Sequence, residues 1–360
     1  MAVPVVLGVA HLLVDCSSCF LLWRLVPAMD FRDYAFWFVL YNAIAFAVQP
    51  LVGLATDRLG NPRGVAAFGL VAAIVALLLP RESIWLPVVV TGLGNALFHV
   101  GAGILALGAT PFRAAGPGVF IAPGAVGLAL GAFLGRSRPE DWWWIAGGLA
   151  VCLVVAAWLP RGRPSVRPAG PVLERPDRAL LVGGLLLAAI ALRSLVGLRV
   201  VGRWNANADW AIPMAAAVFV GKALGGVVAD RLGWIRVAVP AVVLSALLLV
   251  VGDRGLIVAL PALLLFQVVT GVTLCALHRL MPGRPGFAFG LSCLALFAGA
   301  LPVLLRFRPP VPAVVPIDAL LALAAAAAVW KALALLEGTA ALPRPVATGA
   351  PARHPTEASP

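Results

Sequence analysis

The sequence predicts an all-α integral membrane protein of about twelve transmembrane helices in two pseudo-symmetric six-helix bundles, and three observations carry that prediction. Of its 360 residues 62% are hydrophobic and only 12% are charged, with a mean hydropathy of +1.01. A soluble domain is roughly half apolar and one quarter charged. The apolar residues fall in runs of about 20, the length a helix needs to cross about 30 Å of hydrocarbon, whereas a barrel would show short alternating strands. Finally, a charged motif recurs half a chain apart.

The first run, Pro4 to Ala28, lacks a charged leading region and carries His11 and Asp15 in its middle. A cleavable signal would avoid both, so this run is the first span. Tyr34 to Thr56, Gly64 to Leu79, Ile84 to Ala109, Gly118 to Gly135 and Trp142 to Leu159 follow and complete an amino-terminal bundle over residues 1–160. Residues 161–178 are rich in Pro and Arg and hold too few apolar residues to bury a core, so they read as a flexible cytoplasmic linker. Six more runs form a carboxy-terminal bundle over 179–337: Ala179 to Val201, Trp210 to Ala229, Ile235 to Val251, Leu256 to Leu277, Gly286 to Leu305 and Val311 to Leu336. The tail, 338–360, reads as disordered and cytoplasmic.

The net charge of +12 would suggest nucleic acid in a soluble protein. Here the arginines sit singly or in small groups between apolar runs, as membrane loops require, so no nucleic-acid partner is expected. With the amino terminus inside, the cytoplasmic connections carry more arginine than the outer ones, chiefly through the linker; Arg199 and Arg203 count among the outer set. The five cysteines lie in apolar runs, and Cys16 with Cys19 has no second pair, so they read as small buried hydrophobes. Neither a metal site nor a cofactor is expected.

The repeat is specific. Gly53-Leu-Ala-Thr-Asp57-Arg58-Leu-Gly60-Asn-Pro-Arg63 follows the second run, and Gly226-Val-Val-Ala-Asp230-Arg231-Leu-Gly233-Trp-Ile-Arg236 follows the eighth. Every Gly, Asp and Arg keeps its spacing. Thr91-Gly92 before His99 and Thr270-Gly271 before His278 form a second echo at nearly the same offset, which indicates duplicated halves. A glycine near a helix end admits another helix closely, and an Asp there accepts hydrogen bonds from a neighbouring helix amino terminus.

At these residues the chain resembles the major facilitator superfamily, whose loop motif joins helices 2 and 3 and, more weakly, 8 and 9. The resemblance implies two bundles around a central cavity, both termini cytoplasmic, and alternating access. It makes Gly53, Asp57, Arg58, Gly60 and Arg63, with Gly226, Asp230, Arg231, Gly233 and Arg236, a cytoplasmic gate. Asn61 and Pro62 stand where the motif has a basic residue after Gly60. Within the superfamily, His11 and Asp15, Ala96-Leu97-Phe98-His99, Arg193-Ser194, and Phe120 with Gly124, Gly127 and Gly131 are similar to the fosmidomycin-resistance-like efflux branch. Val100 and Val14 depart from that branch.

Ionisable side chains inside a bilayer are costly and mark function by default. His11 and Asp15 share a face of span 1, His99 and Arg193 lie mid-span in spans 4 and 7, and His278 lies near the inner end of span 10. In the superfamily it resembles, helices 1, 4, 7 and 10 line the cavity, so these five are the expected proton-coupling or substrate residues. An Asp15 to Arg193 ion pair is an open alternative. Lys222 is expected to snorkel to the interface, Asn42, Gln49, Asn95 and Gln267 to bridge helices, and the glycines of span 5 to form a helix interface. Asp318 has no evident partner. No hydrolase, metalloprotease or nucleotide-loop motif is present, so an enzyme is not expected. The expectation is a monomeric inner-membrane transporter of a small organic solute, coupled to protons and working in efflux; a non-transporting sensor or scaffold, or an importer, are the alternatives.

Overall fold

The structure, a computed structural model, describes residues 1–25, 31–80, 84–159, 176–204, 210–251, 255–305 and 314–337. Most of the linker and the whole tail lie outside the described residues. Among the described residues ten helical segments are long and apolar enough to cross a membrane, and two shorter apolar helices, Pro62–Leu78 and Trp142–Trp158, join them. The protein is a multi-pass membrane protein.

In the first half, α1 is Ala2–Leu25, and span 2 is α2 (Phe31–Asn42), a π-helical turn (Ala43–Ala47) and α3 (Gln49–Leu59). The wide turn has a local cause. Pro50 has no N–H to offer the carbonyl of Phe46, so the regular ladder cannot run through. Gln49 instead turns its amide onto the carbonyl of Ala45 at 2.6 Å. Then come α4 (Pro62–Leu78), α5 (Trp85–Ala109), α6 (Ala115–Ser137) and α7 (Trp142–Trp158). The second half holds α8 (Pro176–Trp204), α9 (Ala211–Leu232), α10 (Trp234–Val251), a broken span of α11 (Leu256–Gln267) and α12 (Thr270–Leu280), α13 (Pro285–Leu304) and α14 (Val314–Glu337).

The departure at Asn61 and Pro62 has a structural role. Gly60 closes α3 in the left-handed region at φ 65°, with its N–H on the carbonyl of Thr56, a conformation that favours glycine. Asn61 then caps α4, its side-chain oxygen accepting from the N–H of Gly64 at 3.0 Å, and Pro62 begins the helix. The turn between spans 2 and 3 is thus a stop and a start with nothing between them.

Each half has its own apolar core. Phe20, Leu70, Phe98, Phe120 and Ile145 anchor the first, and Leu186, Leu263, Phe266, Leu277 and Leu333 the second. Helix α1 lies along α6 because Gly127, Gly131 and Gly135 let the backbone at Leu12, Cys16 and Phe20 come close, and α8 meets α13 the same way where Gly299 faces Ala191. The halves join where α6 packs on α9 and α13 packs on α3, that is, span 5 on span 8 and span 11 on span 2. The half-chain repeat exchanges these two contacts.

Asp318, without an evident partner in the sequence, is fully buried in α14 and takes Arg199 Nε at 2.6 Å and Arg203 Nη1 at 3.2 Å, both from α8. These two arginines therefore form an ion-paired clamp between spans 7 and 12. They are paired within the bundle and are not loop charges.

Candidate functional site

Helix α1 presents His11 and Asp15 one turn apart, and α5 presents Asn95 and His99 at the same spacing. The four side chains meet. His11 Nε2 lies 3.1 Å from Asp15 Oδ2 and 2.8 Å from His99 Nε2, while Asp15 Oδ1 lies 3.6 Å from His99 Nε2 and accepts from Asn95 Nδ2 at 3.2 Å. All are buried. The aromatic rings of Phe98 and Phe120 pack beside His11. Gly124 of α6 makes the space, because a Cβ there would fall on Asp15 and His11. Of the glycines expected to form a helix interface, this one belongs to the site.

The hydrogen bonds decide the tautomers. His11 Nδ1 faces the carbonyl of Phe120 at 3.0 Å and His99 Nδ1 the carbonyl of Asn95 at 2.8 Å. A carbonyl only accepts, so each Nδ1 carries its hydrogen, and a neutral ring then has a bare Nε2. Two bare nitrogens at 2.8 Å beside a carboxylate repel each other. A proton held between them would relieve that repulsion.

In the second half, Arg193 of α8 is buried and its Nη2 donates to the carbonyl of Phe266 at 2.8 Å, to Thr270 Oγ1 at 2.9 Å and to Gln267 Oε1 at 3.5 Å. The break between α11 and α12 makes this possible. Phe266 lies in the last turn of α11, where carbonyls lack helical partners and the negative end of the helix dipole attracts a cation. Arg193 has no carboxylate partner among the described residues, so the Asp15 to Arg193 ion pair does not form. Lys222 of α9, expected at the interface, is half-buried and within electrostatic reach of Asp15 and Arg193. Its position depends on which side of α9 faces the other half, which its place in the sequence does not reveal.

His278 is buried in the last turn of α12, apart from the His11, Asp15 and His99 group, next to Arg279. Among the expected bridging amides, Asn95 and Gln267 reach the two charged clusters, while Asn42 bonds the carbonyl of Phe38 in its own helix. An apolar cleft of about 230 Å³ opens at the surface of the first half, lined by Leu7, Leu70, Phe98, Leu105 and Cys152 among others, with Arg63 as its charged residue. His11, Asp15, His99 and Arg193 do not line it.

The two motif loops sit at matching places between the halves. Asp57 accepts the N–H of Gly286 at 2.8 Å and of Phe287 at 2.9 Å, at the amino terminus of α13. Asp230 accepts the N–H of Ala114 and of Ala115, both at 2.9 Å, at the amino terminus of α6, and also Trp234 Nε1 at 2.9 Å. A carboxylate on two orphan amides at a helix start gains from both the hydrogen bonds and the dipole. Gly53 lies against the backbone of Gly286, and Gly226 against that of Ala114. Arg63 ties the end of α7, donating to the carbonyls of Ala157 and Leu159 at 3.0 and 2.9 Å. Arg58, Arg231 and Arg236 are exposed, and Gly233 has φ 100° at the end of α9. Arg279 stacks 3.9 Å from the Trp234 ring and donates to the carbonyl of Phe112, adding a further link between the halves.

Gly53→Ala is expected to weaken this closed face by about 1–3 kcal/mol, because the new methyl meets backbone that has no rotamer to change. Spin labels on α3 and α13 would report longer and broader distances.

No family model matches the sequence, and no curated protein matches it. Solved structures do match the fold. The human organic anion transporter MFSD10 (TETRAN) superposes with a TM-score of 0.66 at 17% identity, over 92% of this chain and 99% of that one. The Escherichia coli fucose:proton symporter FucP, in a single-site variant, superposes with a TM-score of 0.68 at 10% identity, over 93% of this chain and 98% of that one. The chain has the fold of the major facilitator transporters.

Proposed function

We propose that the protein is a secondary active transporter that moves a small organic solute bearing an anionic group by alternating access, coupled to protons and directed to export. The observation that carries this reading is the pair of buried charge centres on opposite halves: Arg193 without a carboxylate partner among the described residues, and the His11, Asp15 and His99 cluster whose repulsion a proton would relieve. Buried charge of this kind is costly unless it serves a ligand or an ion pathway. Arg193 with Lys222 supplies a positive field for an anionic group, and the cluster takes up and releases a proton. One similar structure is an organic anion transporter and the other a proton symporter, the two chemistries these centres would serve. The similarity of His11, Asp15, His99 and Arg193-Ser194 to the efflux branch favours export. The excess of inward arginine supports cytoplasmic termini in a cell membrane, and the two halves close on each other within one chain, which supports a monomer.

In proteoliposomes with an imposed pH gradient, Asp15→Asn is expected to lower gradient-driven flux about tenfold or more, since a neutral amide no longer holds the proton beside the imidazoles. Exchange of labelled solute without a gradient should persist. Gradient-driven flux equal to wild type in a folded variant would sink the coupling.

A further inference from the structure

The cation that relieves the cluster's repulsion need not be a proton. We infer that His11, Asp15 and His99 form a binding site for a divalent transition-metal ion of the zinc class, which enters in exchange for the proton. The inference deepens the transport reading at the same residues and rests on that reading only for the ion's effect on flux.

Four observations support it. The donor atoms of the three side chains all lie within 4.8 Å of one another, and the measured separations are 2.8, 3.1 and 3.6 Å. A tetrahedral ion with bonds of about 2.0–2.1 Å spaces its ligands about 3.3–3.4 Å apart, so the observed separations straddle the required one. Two imidazoles and a carboxylate are the donor set that borderline ions such as zinc accept. Both rings give their Nδ1 hydrogen to a backbone carbonyl, of Phe120 and of Asn95, the arrangement by which a protein orients a metal-binding histidine and keeps its Nε2 lone pair free.

The fourth observation concerns Asn95. Its amide donates to Asp15 Oδ1 at 3.2 Å, the kind of hydrogen bond to a ligating carboxylate by which a metal site fixes its ligands. The two imidazoles and the carboxylate leave a fourth position on the ion open, as in sites that exchange their ligand. Gly124 shapes the cradle, since any Cβ there would press on both His11 and Asp15. Binding expels the shared proton, so about one proton leaves for each ion that enters.

The test uses the purified full chain in detergent, free of any affinity tag and stripped with a chelator, titrated with Zn2+ and separately with Co2+. One ion per chain is expected, with the intense visible bands of four-coordinate Co2+ and with binding heats that change with the ionisation enthalpy of the buffer. His99→Gln, and Gly124→Ala independently, should each weaken binding about tenfold or more. In proteoliposomes Zn2+ should slow proton-coupled flux of the wild type and leave the gradient-free solute exchange of Asp15→Asn unaffected. Absence of saturable binding to the wild-type chain, or equal affinity in His99→Gln, would overturn the site. Because binding is read in detergent without flux, its failure leaves the transport reading standing, and a chain that binds Zn2+ yet carries no solute supports the site and overturns transport instead.

Discussion

Asp318→Asn is expected to destabilise the protein by about 3–5 kcal/mol, the cost of removing one partner from a buried ion pair. Asp318 is fully buried, while the side chains of Arg199 and Arg203 are 11% and 23% exposed. The substitution therefore takes from Arg199, in a low-dielectric environment, the carboxylate it pairs with, and from Arg203 one of its bonds. At about 2 °C per kcal/mol for a chain of this size or somewhat smaller, the thermal midpoint in detergent should fall by roughly 6–10 °C. Adding Arg199→Gln should recover part of the loss, because removing both partners is cheaper than removing one. A fall equal to that of an ordinary surface variant would show that the clamp does not hold α8 to α14.

Asp57→Asn combined with Asp230→Asn is expected to open the face on which the motif loops lie by about 3–6 kcal/mol, more than a hundredfold in the balance between closed and open. Each carboxylate accepts two backbone amides at a helix start. Hydrogen bonds to a charged acceptor contribute about 1.5–3 kcal/mol, and an amide side chain keeps only one accepting oxygen and no charge. Hydrogen exchange at Gly286, Phe287, Ala114 and Ala115 should accelerate accordingly. The single variants should each release about half of the effect, since opening breaks both contacts together. Unchanged exchange at these four amides would mean that apolar packing between the halves, including Phe289 against Phe120 and Gly103, keeps the face closed without the carboxylates.

Much of the fold is legible in the sequence because hydrocarbon leaves few solutions. Each apolar run must satisfy its own backbone hydrogen bonds, so its length and flanks predict a helix. The repeat of Asp57-Arg58 at Asp230-Arg231 likewise requires two halves of one design. The breaks within spans 2 and 10 leave hydropathy unchanged. Pro50 signals the first. The second, between Gln267 and Thr270, carries no proline and became visible only with Arg193 lodged against its open carbonyl.

The membrane also explains what the candidate site shows in sequence. Charges inside apolar runs stand out, so His11, Asp15, His99, Arg193 and His278 are legible as candidates by residue type and depth. Their grouping was not. His11 and Asp15 share a helix, but their meeting with His99 depends on the angle at which α5 packs on α1, and the separation of His278 on the tilt of α12. Lys222 and Asp318 show the same limit, since a lone charge near a helix end snorkels or pairs according to which neighbour faces it. The sequence by itself determined a helical, twice-repeated membrane chain and which ionisable residues lie within its apolar runs, because hydropathy and spacing are local properties. Only the tertiary structure decided which of those residues meet. A distance of 2.8 Å between two imidazoles on different helices is set by the packing of glycine stripes and broken spans across the whole bundle.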